Sequence, residues 1–189
     1  MSLLETIRSA HGGSGIGNLG RCHGLSETET ERAIEALVPE LGHAFRRHST
    51  QGRTGAPAIH AAIEDPRHER FIDHPEALEG PEAREEGERI LADLLGAREA
   101  DSIARHAART TGIAEDKLRE LLPTVTAMTM GALTKQIRGS DEETRERESD
   151  TPTVAGHFGT YEDATSGEPL ARALASLFGD EEVSLDRKP

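Results

Sequence analysis

The sequence predicts an all-α, multihelical domain followed by an acidic C-terminal tail. Its apolar residues are mainly Leu, Ile, Ala and Met types, whereas the aromatic residues are four Phe, one Tyr and no Trp. Strand-rich domains depend on β-branched and aromatic side chains, so this composition favours helices. No run of alternating apolar and polar residues is long enough to indicate a strand. At 189 residues, the chain can bury one core of ordinary size.

Two short helices are predicted at the N-terminus. Ser2 can cap the first helix, which ends before the glycine-rich segment 12–15. The second helix covers about 16–23 and ends at Gly24, because glycine readily adopts the left-handed conformation that stops a helix.

A long helix follows, and the capping box Ser26-x-x-Glu29 opens it. Pro39 lies inside this helix, and because its ring removes a backbone hydrogen bond we expect a kink or a restart there. The segment 49–56 is typical of a loop. Apolar side chains recur along one face at helical spacing and predict a core-facing stripe, formed by Ile34, Leu37, Val38, Leu41 and Phe45.

The middle of the chain predicts shorter helices. A helix over 58–64 stops before an Asp-Pro pair, and the prolines within 67–81 predict short turns. Two further helices are expected, one over about 82–95 and one over 101–111.

The last core helix is predicted over about 115–138. Its residues 121–134 carry no charge, and their apolar side chains cover more than one face. This 14-residue stretch is too short to cross a bilayer, so it predicts a buried helix that the other helices surround.

The amino-acid composition changes after this helix, and residues 139–189 form the acidic tail. Residues 141–189 carry 13 acidic and 5 basic side chains, a net charge of −8. The charged run 140–150 is typical of a solvated linker. A short amphipathic helix over about 169–178 has one apolar side, formed by Leu170, Leu174, Leu177 and Phe178. Docking on its own domain, binding of a protein partner, and disorder all remain open for this segment.

One motif occurs twice and predicts two related helical halves with Pro-kinked core helices. Each copy has Arg-x-x-Gly followed by Leu or Ile and, after a helical stretch, an apolar residue, Pro, any residue and an apolar residue. The spacing is 15 positions from Gly24 to Pro39 and 11 from Gly112 to Pro123. The difference is close to one helical turn, so the same helix face is kept. The motif describes architecture and carries no chemistry.

The net charge limits the kinds of binding partner that we expect, and the cysteine content indicates the cellular compartment. A net charge of −13 disfavours nucleic acid and anionic membranes and suits basic partners. The single cysteine, Cys22, excludes an intramolecular disulfide and fits a reducing compartment, with a buried structural thiol as the expected role. The N-terminal residues lack the pattern of a signal peptide, so we expect a cytoplasmic protein.

The second motif copy also suggests a helix-turn-helix unit over residues 103–118. A recognition helix needs basic or amide side chains that face the DNA groove. Here Glu115, Asp116 and Glu120 outnumber Lys117 and Arg119. We therefore expect a packing hairpin, and we retain a degenerate helix-turn-helix that contacts nucleic acid as an alternative.

No residues form a recognisable catalytic or metal-binding motif. Among the nine histidines, His60 and Glu64 have i, i+4 spacing, and His68 and His74 lie nearby. Neither Cys-x-x-Cys nor His-Glu-x-x-His occurs, and no Gly-x-Ser-x-Gly is present. We interpret the histidines as surface residues and expect no metal, no cofactor and no enzymatic activity.

Three segments together resemble the bacterial YidB-like family, also called domain of unknown function 937. They are His68-x-x-Phe71-Ile72-Asp73-x-Pro75-x-Ala77-Leu78, Gly87-x-x-Ile90-Leu91-x-x-Leu94-x-Gly96, and Leu121-Leu122-Pro123 through Met130-Gly131-x-Leu133-x-Lys135-Gln136. The resemblance covers residues 1–138 and implies an all-helical cytosolic domain without an established activity or catalytic residues. The chain departs from the family pattern at His74, where an acidic residue is common, and at Glu88, where Asn is common.

These observations predict an all-helical domain over 1–138 and an acidic, partly disordered tail over 139–189. The predicted function is that of a non-enzymatic protein that self-associates or binds a protein partner through the apolar side of the tail helix. The alternatives are the degenerate helix-turn-helix and a small-molecule binder or enzyme. The last of these would use the region 60–74, with His68 and Asp73 as its ligand residues.

Overall fold

The computed structural model describes residues 3–50, 54–148 and 167–178, and within these residues it contains ten α-helices and no strand. The predicted all-α fold is thereby confirmed. Two 3₁₀ turns, Ala10–Gly13 and Pro66–Glu69, connect some of the helices. The helices are α1 Leu3–Ser9, α2 Gly15–Cys22, α3 Glu27–Thr50, α4 Gly55–Glu64, α5 Arg70–Asp73, α6 Pro75–Glu79, α7 Pro81–Leu94, α8 Ala97–Thr111, α9 Glu115–Glu148 and α10 Gly167–Phe178.

Helix α9 forms the centre of the array. It packs against α7, α8, α1, α3, α4, α5 and the second 3₁₀ turn. Every residue of the uncharged stretch 121–134 is buried, which confirms the prediction of a surrounded helix. Three buried threonines donate their hydroxyls to carbonyls one turn earlier on α9, at 2.7–3.0 Å, namely Thr126, Thr129 and Thr134. These bonds remove the cost of burying the hydroxyl groups.

Proline and glycine allow α7 and α9 to approach closely. Gly87 on α7 lies directly over the carbonyl of Pro123 on α9, and a Cβ at this position would overlap that carbonyl. Pro123 lies inside α9 and Pro39 lies inside α3, yet each helix continues through its proline as a single element. The predicted restart of α3 at Pro39 is therefore wrong, and the proline sites are accommodated within long, well-packed helices.

The two copies of the repeated motif adopt the same local structure. In each copy a helix ends at a glycine with positive φ, 62° at Gly24 and 74° at Gly112. The apolar residue that follows, Leu25 or Ile113, is buried. A proline-containing helix then begins.

Helix α3 begins with the predicted capping box, formed by Ser26 and Glu29. The backbone N–H of Ser26 donates to the Glu29 carboxylate at 2.9 Å, and the Glu29 N–H donates to the Ser26 hydroxyl at 3.3 Å. Hydrogen bonds from the Ser26 side chain and backbone lower the pKa of Glu29.

Three further predictions about local structure differ from the observed fold. The predicted loop 49–56 is helical at both ends, since α3 continues to Thr50 and α4 begins at Gly55. Helix α9 continues to Glu148, ten residues beyond its predicted end and through most of the charged run 140–150. Glu and Arg are good helix formers, and extending an existing helix costs far less than nucleating one, so the charged run continues α9. Cys22, expected to be buried, is exposed at the end of α2.

Within the described residues, none of the helices combines the length and the apolar content that crossing a membrane requires.

Candidate functional site

The apolar side of the tail helix packs against its own domain. Helix α10 lies on α3 and also contacts α4 and α1. Leu174 is completely buried and Leu170 is 8% exposed, whereas Leu177 and Phe178 are partly buried at the edge of the contact. Of the three arrangements that the sequence left open, the structure shows docking on the same chain.

A glycine on α3 makes room for the end of α10. A Cβ at Gly42 would lie 2.5 Å from two atoms of the Phe178 ring, so any larger residue would displace that ring. We call the faces of α3, α4 and α1 that contact α10, with Gly42 beneath Phe178, the tail-helix groove. The sequence carried one signal for this contact, because glycine inside a helix is unfavourable unless another element must approach closely.

His68 lies in the second 3₁₀ turn and its side chain is buried. It is therefore not the surface histidine that the sequence predicted. It is 3% exposed. Its Nδ1 lies 2.8 Å from the carbonyl oxygen of Ala62, and its Nε2 lies 2.8 Å from the carboxylate of Glu86 on α7. Arg89 donates a further hydrogen bond to the same carboxylate. His68, Glu86 and Arg89 form a cluster that ties the turn to α7.

The hydrogen bonds of this cluster favour the charged form of its carboxylate. Burial alone would raise the pKa of Glu86, but the hydrogen bonds from Arg89 and His68 outweigh burial and lower it. An ionised Glu86 can only accept a hydrogen bond, so the carboxylate suits a position beside the His68 ring and the guanidinium of Arg89. Each nitrogen of the His68 ring lies within hydrogen-bond distance of an oxygen atom of the fold.

Asp73, the second predicted ligand residue, has a different environment from His68. It lies at the end of α5, is partly exposed, and forms an ion pair with Lys135 on α9. The two predicted ligand residues thus have separate partners, and the structure does not join them in one site. Asp73 instead lines a cleft together with His11, a residue that the sequence reasoning did not single out.

The remaining histidines of the 60–74 region lie beside carboxylates that are close in sequence. His60 lies 3.1 Å from Glu64, as their i, i+4 spacing predicts, and His74 lies 3.6 Å from Glu76. In the part of the chain that the structure describes, no group of three or more His, Cys, Asp or Glu side chains could hold a metal ion.

The basic residues of the suggested helix-turn-helix unit make intramolecular contacts. Arg119 pairs with Asp101 at 3.1 Å and with Glu115 at 2.7 Å. The ammonium of Lys117 donates to the carbonyl of Gly24 at 2.8 Å. Residues 121–134 of α9 are buried, so the part of α9 that belongs to this unit reaches the surface only in the first turns of the helix.

Comparison with known proteins identifies a single family. The model of the family described as "Bacterial protein of unknown function (DUF937)" matches residues 5–136. No curated protein and no solved structure matches the chain. The matched range agrees with the resemblance found from the sequence and ends within α9, before the last twelve residues of this helix.

Proposed function

The chain belongs to the bacterial DUF937 family, and on that premise we propose that it is a non-enzymatic, cytoplasmic interaction module that self-associates by exchanging α10. In the exchanged state, the α10 of one copy occupies the tail-helix groove of a second copy. The observation that carries this proposal is the seating of α10, in which Leu174 is completely buried although α10 follows a long connecting segment.

Helix α10 depends on the groove for its stability. It has 12 residues, and isolated helices of this length are marginal in water. Burial of a leucine side chain contributes about 2 kcal/mol, so Leu170 and Leu174 supply most of what holds the helix in place. A helix held by a few apolar side chains can leave one groove and enter an identical one at little net cost.

The segment that connects α9 to α10 is long enough for α10 to reach the groove of its own chain or that of a second copy. Residues 149–166 provide 18 residues between the end of α9 and the start of α10. Such a segment can span up to about 60 Å, which exceeds the length of about 51 Å expected for the 34-residue helix α9. Mutual exchange between two copies closes a symmetric dimer, the commonest form of self-association.

The arrangement of polar groups supports an interaction role over catalysis. The buried ring of His68 directs both of its nitrogens to oxygen atoms of the fold, and Glu86 accepts from Arg89 as well. The exposed thiol of Cys22 fits the reducing cytoplasm, where such a thiol persists.

Light scattering on the full chain over a dilution series tests this proposal. We expect the mass to rise with concentration from the 20.4 kDa monomer towards the dimer. Leu174→Asp places an unpaired charge at a buried position and should reduce the mass to that of the monomer at all concentrations. Ser176→Asp is the matched control, since it adds the same charge at an exposed position of α10 and should leave the mass curve unchanged. A wild-type mass that stays monomeric throughout would rule out self-association.

A further inference from the structure

From the cleft beside His11 we infer a second, independent binding site, which takes a small organic cation of the alkylamine class. The cleft has a volume of about 800 Å³. It lies between the first 3₁₀ turn, the end of α5 and the part of α9 that contains Lys135, Gln136 and Gly139. The inference does not depend on the exchange of α10.

His11 is held in an unusual backbone conformation at the edge of this cleft. Its φ of 56° is the one positive value among the described residues other than glycine. Both nitrogens of its ring are buried, and neither has a hydrogen-bond partner within the described part of the chain. Strained backbone and unsatisfied buried polar atoms are both rare in folded proteins and concentrate at functional sites.

The ring of His11 is available as a hydrogen-bond acceptor. Burial lowers its pKa, an effect that the nearby carboxylates of Glu76 and Asp73 oppose without reversing. The neutral ring offers one N–H and one lone pair. A half-turn about the Cβ–Cγ bond exchanges each nitrogen with a ring carbon, and no hydrogen bond resists this rotation. Binding includes this half-turn, which directs the lone pair to the ligand.

The charges around His11 select a cation. The carboxylates of Asp73, Glu76 and Glu79 act on the ring, as does the neighbouring His74. Lys135 is the cation of the cleft lining, and it is already paired with Asp73. In the cleft lining the carboxylate of Asp73 balances the ammonium of Lys135. The carboxylates of Glu76 and Glu79 lie outside the lining but act on the His11 ring, and their charge attracts an amine and repels an anion. The cation that we infer is organic, because Ala10 and Ile72 in the lining offer apolar surface to methylene groups.

The shape and lining of the cleft suit an alkyl chain with an ammonium end. Ala10 and Ile72 contribute apolar surface to the lining, where methylene groups can pack. The ammonium group then donates to the carboxylate of Asp73, in competition with Lys135, and to the ring of His11. Asp73 and Lys135 are both partly exposed, so breaking their ion pair costs little.

Titration calorimetry with putrescine on the full chain tests the inference. Succinate is the matched probe, since it has the same four-carbon length and the opposite charge. We expect saturable binding of putrescine and none of succinate. His11→Gly and Asp73→Asn should each weaken putrescine binding at least tenfold. His11→Gly should not lower Tm, because glycine tolerates the positive φ, so loss of binding in this variant does not reflect unfolding.

Two lysine variants distinguish the effect of Lys135 on putrescine affinity from the effect of the overall charge of the protein. Lys135→Met removes the ammonium that competes for Asp73 and should tighten putrescine binding. Lys117→Met removes the same charge 18 residues earlier on α9, about 27 Å away, and should leave the affinity unchanged. Putrescine binding that is insensitive to His11→Gly and Asp73→Asn would place the amine on the acidic tail and overturn the inference. Binding of succinate that is lost in Lys135→Met would overturn it as well.

Discussion

At the scale of single residues, the cluster of His68, Glu86 and Arg89 shows how a polar group becomes part of the core. His68 is buried, and its two nitrogens face a backbone carbonyl and a carboxylate. Removing Glu86 would leave the buried Nε2 of His68 without this partner, whereas Arg89 is half exposed and can turn to solvent. The role that follows is structural, and it replaces the ligand role that the sequence suggested for His68.

The cluster should make the stability of the protein depend on acid. Because the pKa of Glu86 is lowered in the folded chain, its contribution is complete above the ordinary carboxyl pKa of 4.5 and is lost as pH falls through the lowered value. Glu86→Gln should cost about 1–3 kcal/mol at pH 7. This cost should shrink as pH falls below about 4. Urea denaturation at several pH values measures both effects.

A matched variant separates the buried carboxylate from surface carboxylates. Glu88 lies on the same helix and pairs with Arg84 at 2.8 Å, with both side chains more than half exposed. Glu88→Gln should therefore change the free energy of unfolding by at most about 0.5 kcal/mol at any pH. An equal cost for the two variants at pH 7 would contradict the structural role of Glu86.

The sequence could not have identified this cluster. His68 and Glu86 are separated by 18 positions, and no periodicity relates the 3₁₀ turn to α7. His11 is similar, because the cleft beside it forms only where α1, the first 3₁₀ turn, α5 and α9 come together. Gly42 is different, since a glycine inside a helix is by itself a local signal of close approach by another element, although the sequence prediction did not use it.

At the scale of the elements, glycines at helix ends and within helices have opposite effects on stability. Gly112 ends α8 with a φ of 74°, and a Cβ there would meet no other atom of the described residues within 4 Å. Gly139 lies inside α9 and is exposed, and a Cβ there would likewise have open space among the described residues. At Gly112 the backbone adopts a left-handed conformation that glycine favours. At Gly139 the backbone is helical, so residues with a higher helix propensity than glycine are favoured.

Alanine at these two glycines should therefore change stability in opposite directions. Gly112→Ala should destabilise the fold by about 1 kcal/mol because of its positive φ. Gly139→Ala should stabilise it by about 0.5–1 kcal/mol, since glycine is a poor helix former. Thermal unfolding of the two variants beside the wild type measures both. A loss of stability in Gly139→Ala would show that α9 does not continue through this residue.

The elements were predictable where local signals were strong. The capping box at Ser26, the stop at Gly24 and the uncharged stretch 121–134 each depend on nearby residues, and each is confirmed. The end of α9 was predicted ten residues too early, because Gly139 and the charged run were taken as a boundary. Helix propensity of the charged residues outweighed these signals once α9 was anchored in the core.

At the scale of the whole molecule, the sequence predicted the all-α class and the family, but not how distant segments meet. The resemblance over residues 1–138 agrees with the family match over 5–136. The position of α10 could not be derived, because its apolar side fits any apolar groove of suitable shape. The same property is central to the proposed function, in which one groove accepts the α10 of either copy.

The exchange of α10 is tested most directly by mixing two variants that are defective on opposite sides of the contact. Gly42→Val blocks the groove and leaves α10 intact, whereas Leu174→Asp disrupts α10 and leaves the groove intact. Each variant alone should be monomeric. A mixture retains one intact pair, the α10 of the first variant and the groove of the second. Light scattering of the mixture should therefore show a dimer of twice 20.4 kDa, and a mixture that remains at the monomer mass would contradict the exchange.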